Sequence, residues 1–499
     1  MTTSTTQLSG EGTARAAGSA PERTAPATLR QGWIPLLALC LAFFVEMVDN
    51  SILTIALPTM GRDLGASTTQ LQWVTSAYSL VFGALLLTAG TVADKFGRRR
   101  VLVAGLAAFG GLSALIWLVT GIDQLIALRA VLGMAAACMA PVTMSLVFQV
   151  FKEEKVRMRA ISLMVVIGMS SMVAGPILAG GALGAVNWKW LVFINTPIAL
   201  VAVAGVLWGV PRDEADSLHA APIDWPGTVL TVLAMASTCF LLTSGADYGW
   251  TATPTVLAAV IAVASLAGFI WREKTARHPM VDLALFQIPT VRGAALAQVG
   301  SSLAQMGSMF LLIMHFQYAL GWSPVVAGLA NLPFIVVMLA AQPVAENLVT
   351  RFGHRVTCCI AAASLVVGLL VEALGIRAGY WVIALGMAAL SFGLRIIMVV
   401  CAVALIESVP KDRTSLGTAI NDVTQELGTS FGSAVVGTLL AVLVAQTLPA
   451  GAWSAEFTDT FFGGEQVIFV VLAVLVGLVA GYGCSTLTDS RTADEHAID

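Results

Sequence analysis

The chain has 499 residues, of which 58% are hydrophobic and only 11% are charged, and its mean hydropathy is +0.87. A soluble protein would carry about 25% charged residues, so this composition excludes an ordinary water-soluble protein and indicates one embedded in the lipid bilayer. The net charge of −3 gives no basis for binding nucleic acid. The seven cysteines show no metal-ligand spacing, and we interpret them as small apolar residues rather than as a metal site or a disulfide framework.

The chain begins with a polar tail and continues as a series of long apolar segments. Residues 1–32 are rich in Ser, Thr, Ala and Gly and lack the apolar stretch of a signal peptide, which predicts a disordered cytosolic tail. A helix needs roughly 20 apolar residues to cross a bilayer. Fourteen segments meet this requirement: 33–57, 72–93, 101–121, 125–150, 160–183, 191–210, 225–246, 254–271, 292–318, 325–345, 356–375, 380–406, 417–445 and 466–484.

The basic residues predict which ends of these spans face the cytosol. Cytosolic connections carry the excess of Lys and Arg in membrane proteins. With the N-terminus inside, 21 of the 26 basic residues fall on the inner side and three on the outer side, while Arg129 and Arg395 lie within spans. We therefore predict a protein of the cytoplasmic membrane with both termini in the cytosol, including a second tail at 485–499.

An internal repeat predicts how the spans are grouped. "FGRR" at 96–99 recurs as "FGHR" at 352–355, and the pattern Leu-Gly-x-Ser at 64–67 recurs at 320–323, both at an offset of 256 residues. Parallel repeats of six spans are typical of one large class of transporters, with the substrate site at the midplane between the halves. We predict an all-α membrane protein with six-helix bundles at 33–210 and 292–484. Two additional transmembrane helices and their linkers occupy 211–291.

Acidic side chains lie inside two of the predicted spans. Glu46 and Asp49 are three residues apart in "FFVEMVDNSILTIALP" (43–58), and Asp422 and Glu426 are four apart in "AINDVTQELGTSFG" (419–432). Both spacings place the two acids on one helix face. An acid at membrane depth costs about 2.5–3.5 kcal/mol, so such residues mark pathways for ions or substrates, although a hydrogen bond between helices is the alternative for Asp49. Glu46 has equal support for either role.

Several stretches resemble the major facilitator superfamily, in its fourteen-span drug:proton antiporter branch. The segment "GTVADKFGRRRVLVAG" (90–105) is similar to the family's signature loop, and "LIALRAVLGMAAA" (125–137) to its fourth-span pattern. The segment "GMSSMVAGPILAGG" (168–181) resembles the antiporter motif, with Ala179-Gly180 where the family has a glycine pair. The segments "NWKWLVFINTPI" (187–198) and "VDNSILTIALP" (48–58) resemble the branch itself.

The resemblance implies roles for particular residues. The loop residues implied to form a conformational switch are Gly90, Asp94, Lys95, Gly97, Arg98 and Arg99. The antiporter-motif residues are Gly168, Gly175, Pro176 and Gly180. The residues implied in proton coupling are Asp49, Arg129, Asp422 and Glu426. The candidate substrate-binding residues combine the acids and their neighbour Gln425 with apolar side chains that could form an adaptable wall, although Glu46 is not part of the family pattern and ordinary packing explains the apolar ones equally well. They are Glu46, Asp49, Asp422, Gln425, Glu426, Phe44, Met306 and Phe310.

Three further ionisable residues lie in or near the spans. Arg395 matches no family position and is expected either to pair with an acid or to bind an anionic group of a substrate. His315 lies deep in its span, where a structural role is favoured over titration. Glu372 lies near the end of its span, where a solvated position is expected.

The sequence favours transport over its alternatives. It contains no G-x-x-x-x-G-K-[ST] phosphate loop and no Ser/His/Asp arrangement, so neither an ATP-driven pump nor an enzyme is supported. We predict a proton-coupled exporter of lipophilic, cationic drugs that needs no cofactor other than protons. It is expected to act as a monomer in the bilayer, without an obligatory protein partner. A dedicated exporter of one metabolite or antibiotic, and a non-transporting receptor or scaffold, are the alternatives.

Overall fold

The computed structural model describes residues 28–183, 185–213, 223–276, 280, 283–408, 414–445, 447–449 and 453–487, so nearly all of both predicted tails lies outside the described residues. The described part contains helices and no strand. The helices are α1 (Trp33–Leu64), α2 (Thr68–Phe96), α3 (Arg98–Ala114), α4 (Ile122–Ala137), α5 (Ala140–Val150), α6 (Glu154–Leu183), α7 (Lys189–Phe193), α8 (Asn195–Gly209), α9 (Trp225–Tyr248), α10 (Thr253–Thr275), α11 (Pro289–Met314), α12 (Pro324–Leu329), α13 (Leu332–Ala340), α14 (Gln342–Ala378), α15 (Tyr380–Glu407), α16 (Thr414–Leu443) and α17 (Ala455–Ser485). Short 3₁₀ segments occur at Leu115–Leu118 and Leu283–Gln287, and a π-helical turn at His315–Ala319.

The helices cover all of the predicted spans, but the predicted number of membrane crossings is not confirmed. Within the described residues, eleven helices are long and apolar enough to cross a bilayer, or twelve if the bent α2 is a single span. The predicted span 325–345 is divided among α12, α13 and the start of α14. Each of these three helices has a proline in its first turn, at Pro324, Pro333 and Pro343. Proline lacks the N–H that a continuous helix would use, so the polypeptide restarts a helix at each one.

The backbone repeats at the offset seen in the sequence. Three pairs of residues 256 positions apart have matching roles: Gly65 with Gly321, Ser67 with Ser323, and Gly97 with Gly353. The first glycine pair has φ of 61° and 63°, and the second has φ of 101° and 77°. Both serines accept a hydrogen bond from the backbone three residues further on, as helix N-caps. Glycine is favoured where φ is positive, which explains why these turns keep it in both halves.

Two apolar cores and a smaller third cluster hold the helices together. One core lies within α1 to α8 and includes Leu39, Phe109 and Leu146. The larger one joins α1 to the helices from α11 onward. The third cluster packs α9 against α2 and α16, through residues that include Met235 and Cys239. The inserted helix α9 therefore lies beside the α2–α16 contact and packs against both halves, whereas α10 packs on α9.

The two halves meet closely at the end of the molecule where α1 ends, which we call the Leu64 end. There the side chain of Gln317 donates to the carbonyl oxygen of Ile55 at 2.9 Å. The hydroxyl of Tyr318 donates to the carbonyl oxygen of Pro58 at 3.2 Å. Nearer the middle of the molecule, the hydroxyls of Ser76 on α2 and Ser433 on α16 lie 2.6 Å apart. The contacts of Gln317 and Tyr318 close the Leu64 end between the halves.

Candidate functional site

A buried ion pair joins two of the predicted coupling residues. Arg129 Nη1 lies 2.5 Å from Asp49 Oδ2, and the two side chains are only 1% and 2% exposed. Arg129 Nε also donates to the carbonyl oxygen of Val74 on α2 at 3.2 Å. The pair therefore connects α1, α2 and α4 at the centre of the first half. Because breaking a buried pair leaves an uncompensated charge, this contact holds both side chains in place.

Two further residues complete this polar centre, and residue-by-residue interpretation of the sequence missed both. Asn195 on α8 donates to Asp49 Oδ1 at 2.6 Å, so both carboxylate oxygens of Asp49 have partners. The guanidinium of Arg129 lies 4.2 Å from the centre of the Tyr78 ring. The hydroxyl of Tyr78 is buried and has no hydrogen-bond partner among the described residues. The sequence signal that could have revealed them is a polar side chain inside an apolar run. Asn195 lies in the segment 187–198 and Tyr78 in the predicted span 72–93.

The remaining predicted acids form a cluster next to this pair. Glu46 is 2% exposed and lies within electrostatic range of Glu426 and Asp422 from the opposite half. Glu426 forms a hydrogen bond with Ser79 on α2, and Asp422 accepts one from Asn421 at 3.2 Å. Asp422 and Glu426 are half-buried, whereas Glu46 is fully buried. The structure thus brings acids from both halves together at the contact between α1, α2 and α16.

The other candidate substrate-binding residues divide into accessible and packed side chains. Gln425 is half-buried on the same helix as Glu426, and Phe44 and Met306 are partly buried against the larger core. Phe310 is fully buried in that core. Apolar neighbours enclose its ring in this conformation, and a contact between Phe310 and a substrate stays a prediction.

The signature loop between α2 and α3 is held by an acid that the sequence prediction did not include. Asp94 pairs with Arg98 at 2.9 Å, with both side chains nearly half exposed. The carboxylate of Asp213 accepts hydrogen bonds from the backbone N–H groups of Arg99 and Arg100, at 3.1 and 3.3 Å. A carboxylate at a helix N-terminus stabilises the unpaired N–H groups there.

The remaining loop residues lie around this cap. Gly97 has φ of 101°, and an added methyl group would overlap Asp213. Lys95 is exposed with its ammonium 5.8 Å from the Phe96 ring, and Gly90 has open space around it. The cap therefore fixes the start of α3 through a residue more than a hundred positions away in the chain.

The glycines of the antiporter motif allow close helix contacts. A methyl group added at Gly168 would overlap the Phe43 ring of α1, and one at Gly175 would overlap the Ser51 hydroxyl. At Gly180 it would lie 2.6 Å from the carbonyl oxygen of Pro324 on α12. The first two contacts are within one half, and the third joins the two halves at the Leu64 end. The side chain of Pro176 lies outside the described residues.

One prediction about the ionisable residues of the second half is wrong, and the partner of another such residue was not predicted. Glu372 is fully buried rather than solvated, and it accepts a hydrogen bond from Ser308 at 2.8 Å. It was misassigned because the helix continues past it to Ala378, which leaves Glu372 two turns inside α14. His315 pairs with Glu465 at 2.7 Å, an acid that the predicted start of the last span had left outside.

Arg395 lies near one acid of its own half. It is within electrostatic range of Glu346 on α14, and no described residue forms a hydrogen bond with its Nε. The described residues contain no group of three or more His, Cys, Asp or Glu side chains arranged to hold a metal ion.

Comparison with known proteins places these features in a family. The model of the Major Facilitator Superfamily matches residues 39–278 and 294–492. The tetracenomycin C resistance and export protein of Streptomyces glaucescens is 29% identical, covering 90% of this chain and 83% of that protein. The multidrug efflux pump LfrA of Mycolicibacterium smegmatis is 29% identical, covering 95% and 94%. The crystal structure of the nucleoside transporter NupG superposes with a TM-score of 0.64 at 12% identity, covering 91% of this chain and 100% of NupG.

Proposed function

This chain belongs to the major facilitator superfamily, and we propose that it is a proton-coupled exporter of lipophilic, cationic compounds that works by alternating access. The names of its relatives, a multidrug efflux pump and an antibiotic export protein, support the direction of transport. The resemblance of its motifs to the drug:proton antiporter branch supports the use of protons as the coupling ion.

The observation that carries this proposal is the acid cluster of Glu46, Asp422 and Glu426. None of the three forms an ion pair among the described residues, unlike Asp49 beside them. Acids in a poorly hydrated site either bind a proton or need a positive charge nearby. A lipophilic cation supplies that charge, so protons and substrate compete for the same carboxylates.

Competition of this kind converts proton flow into export. A cation that enters from the cytosol displaces protons from the cluster and is carried to the outer side. Protons entering from outside then displace the cation and return the protein to its first state. Each inward proton contributes about 2.3 kcal/mol per 100 mV of membrane potential, in addition to any pH gradient. In this mechanism the Asp49–Arg129 pair holds α1 and α4 in place beside the exchanging acids.

The proposed topology has fourteen spans with both termini in the cytosol. It adds three segments to the eleven helices that meet the length and apolarity criteria: α2, α6 and the broken helix Pro324–Ala340. The distribution of Lys and Arg supports this orientation, which places the Leu64 end outside. The closed contacts at that end then correspond to a conformation sealed toward the exterior.

Ethidium efflux from energised cells tests the proposal. Cells expressing the wild-type chain should export ethidium, and a protonophore should abolish that export. Asp49→Asn should lower export even without protonophore, because it removes the charge that holds Arg129. Export that survives both treatments would refute proton coupling.

A second candidate is a dedicated exporter of one antibiotic or metabolite. The relative named for export of tetracenomycin C favours it, and Arg395 offers a positive charge for an anionic group. A panel of cationic, neutral and anionic compounds distinguishes the two candidates. Protection against several unrelated cations supports the broad exporter, and protection against a single compound supports the dedicated one.

A further inference from the structure

A second buried pair of titratable groups lies far along the chain from the acid cluster. His315 Nδ1 is 2.7 Å from Glu465 Oε2, with side chains 1% and 0% exposed. Within the part of the chain that the structure describes, Glu465 Oε1 has no hydrogen-bond partner. The imidazole is enclosed by aromatic rings, with centroids 5.2 Å from Phe462 and 5.8 Å from Phe316. The proposed export mechanism makes no use of this pair.

The other charged and titratable groups near this end of the neighbouring helices are engaged elsewhere or lie at the surface. Arg377 of α14 pairs with Asp459 of α17 at 2.6 Å, at an exposed position. Glu372 of α14 accepts from Ser308, two helical turns before His315. On the elements packed against the pair, the other groups of this kind at this end are Tyr318 of the same turn, Arg62 and Asp63 of α1, Tyr380 of α15 and Glu456 of α17. Asp422 and Glu426 of α16 lie toward its other end. The electrostatic partner of Glu465 is His315.

The pair lies at a break in helix geometry. The α-helical pattern of α11 ends at Met314, and His315–Ala319 form a π-helical turn in which the N–H of Leu320 donates to the carbonyl oxygen of His315. Such turns are rare and frequently mark functional sites. The next residues, Gln317 and Tyr318, make the hydrogen bonds to α1 that close the Leu64 end. His315 is therefore two residues from the contacts between the halves.

The charge of the pair depends on how many protons it holds. With one proton the pair has no net charge, whether as imidazolium and carboxylate or as imidazole and carboxylic acid. Loss of that proton leaves a net buried anion, and gain of a second leaves a net buried cation. Either charge is costly in an apolar enclosure, so both states favour a conformation that admits water. Proton binding is therefore a property of the coupled pair rather than of either residue alone.

We propose that His315 and Glu465 form a second proton-binding site, which exchanges protons with the outer side and thereby controls closure of the Leu64 end. The singly protonated pair keeps the turn at His315–Ala319 packed against α1. A change in its proton count releases the turn and breaks the contacts of Gln317 and Tyr318. This inference rests on the proposed proton-coupled export, because it assigns the outer gate of that cycle.

The distance between the outer ends of the two halves tests the inference without measuring transport. Spin labels at Thr120→Cys in the first half and Ala378→Cys in the second occupy exposed positions at this end. The labels are placed in the full chain in lipid nanodiscs, with the seven native cysteines replaced. The wild-type distance distribution should change between about pH 5 and about pH 8, where histidine ordinarily changes charge.

Variants separate proton binding from simple packing. The double variant His315→Gln with Glu465→Gln retains two side chains able to hydrogen-bond but cannot titrate, so it should fold and show a clearly smaller pH-dependent change in distance than the wild type, with only the contribution of the acid cluster left. Glu372→Gln, a buried acid of the same half, should retain that change. A double variant that responds to pH like the wild type would overturn the inference. Failure of the wild type itself to respond would also overturn it.

The proposed export function fails by a different result. If wild-type ethidium efflux is insensitive to protonophore, the coupling proposal is wrong whatever the label distances show. If efflux is proton-coupled and the double variant keeps the wild-type distance response, only the second proton site is wrong.

Discussion

Asp49 on α1 and Glu426 on α16 lie beside the same tyrosine, but the protein surrounds them differently. Tyr78 is within electrostatic range of both. Asp49 has a guanidinium on one oxygen and the Asn195 amide on the other. Glu426 is half-buried and has a hydroxyl, Ser79, as its hydrogen-bond partner. A fully paired carboxylate suits a fixed structural charge, and a weakly paired one suits exchange of a proton or a cation.

Removing Arg129, the partner of Asp49, should have the largest effect on stability and on efflux. Arg129→Ala leaves Asp49 as an unpaired buried charge, which should destabilise the protein by about 3–5 kcal/mol and abolish efflux. Thermal unfolding in detergent measures the loss. Arg129→Ala combined with Asp49→Asn should recover much of the stability while remaining inactive. A stable, active Arg129→Ala variant would show that the Asp49–Arg129 pair is not needed to hold α1 and α4 in place.

Neutralising Glu426, the carboxylate suited to exchange of a proton or a cation, should affect transport more than stability. Glu426→Gln keeps the shape and the hydrogen bond but removes the charge. A charge-assisted contact contributes on the order of 1.5–3 kcal/mol, so ethidium efflux should fall by about tenfold or more. Unfolding should change little, because no ion pair is broken. Glu346→Gln, at an exposed position on α14, is the matched control and should transport normally.

Disrupting a helix contact remote from Asp49 and Glu426 should change the conformation without altering any charge. Gly180→Ala places a methyl group against the α12 backbone, which should weaken closure of the Leu64 end by about 1–3 kcal/mol. The label distance between Thr120→Cys and Ala378→Cys should increase. Gly181→Ala has open space around it and serves as the control in the adjacent position. Equal effects of the two substitutions would contradict the close contact.

The smallest effects are expected in the loop between α2 and α3. Asp213→Asn weakens the cap on α3 and should cost about 1 kcal/mol. Asp94→Asn removes a half-exposed ion pair, which solvent screening limits to about 0–1 kcal/mol. Thermal unfolding of the two variants compares them. A larger loss of stability for Asp94→Asn would mean that its pair with Arg98 matters more than the cap.

Much of the architecture could be predicted from the sequence because it depends on local patterns. Apolar segment length placed the helices, and the repeat at 256 residues located glycines such as Gly97 and Gly353 that share a positive φ. The break between α12 and α13 was harder to predict from the sequence, because prolines inside an apolar run interrupt the helix with little effect on the hydropathy of the segment.

The site was only partly predictable because its partners come from distant positions. Asp49 and Arg129 could be named separately, but their contact joins residues 80 positions apart. Glu465 was missed because the last helix begins eleven residues before the predicted span. Burial of Phe310 depends on packing from several helices, which no local pattern reports.

Proton release on substrate binding is the most direct test of competition at the acid cluster. Ethidium is added to the purified protein in weakly buffered detergent solution, and a pH indicator follows the protons released. The wild type should acidify the solution on binding. The combined variant Glu46→Gln, Asp422→Asn and Glu426→Gln should release none. Ethidium binding without proton release by the wild type, at a pH where protons drive efflux, would contradict the account.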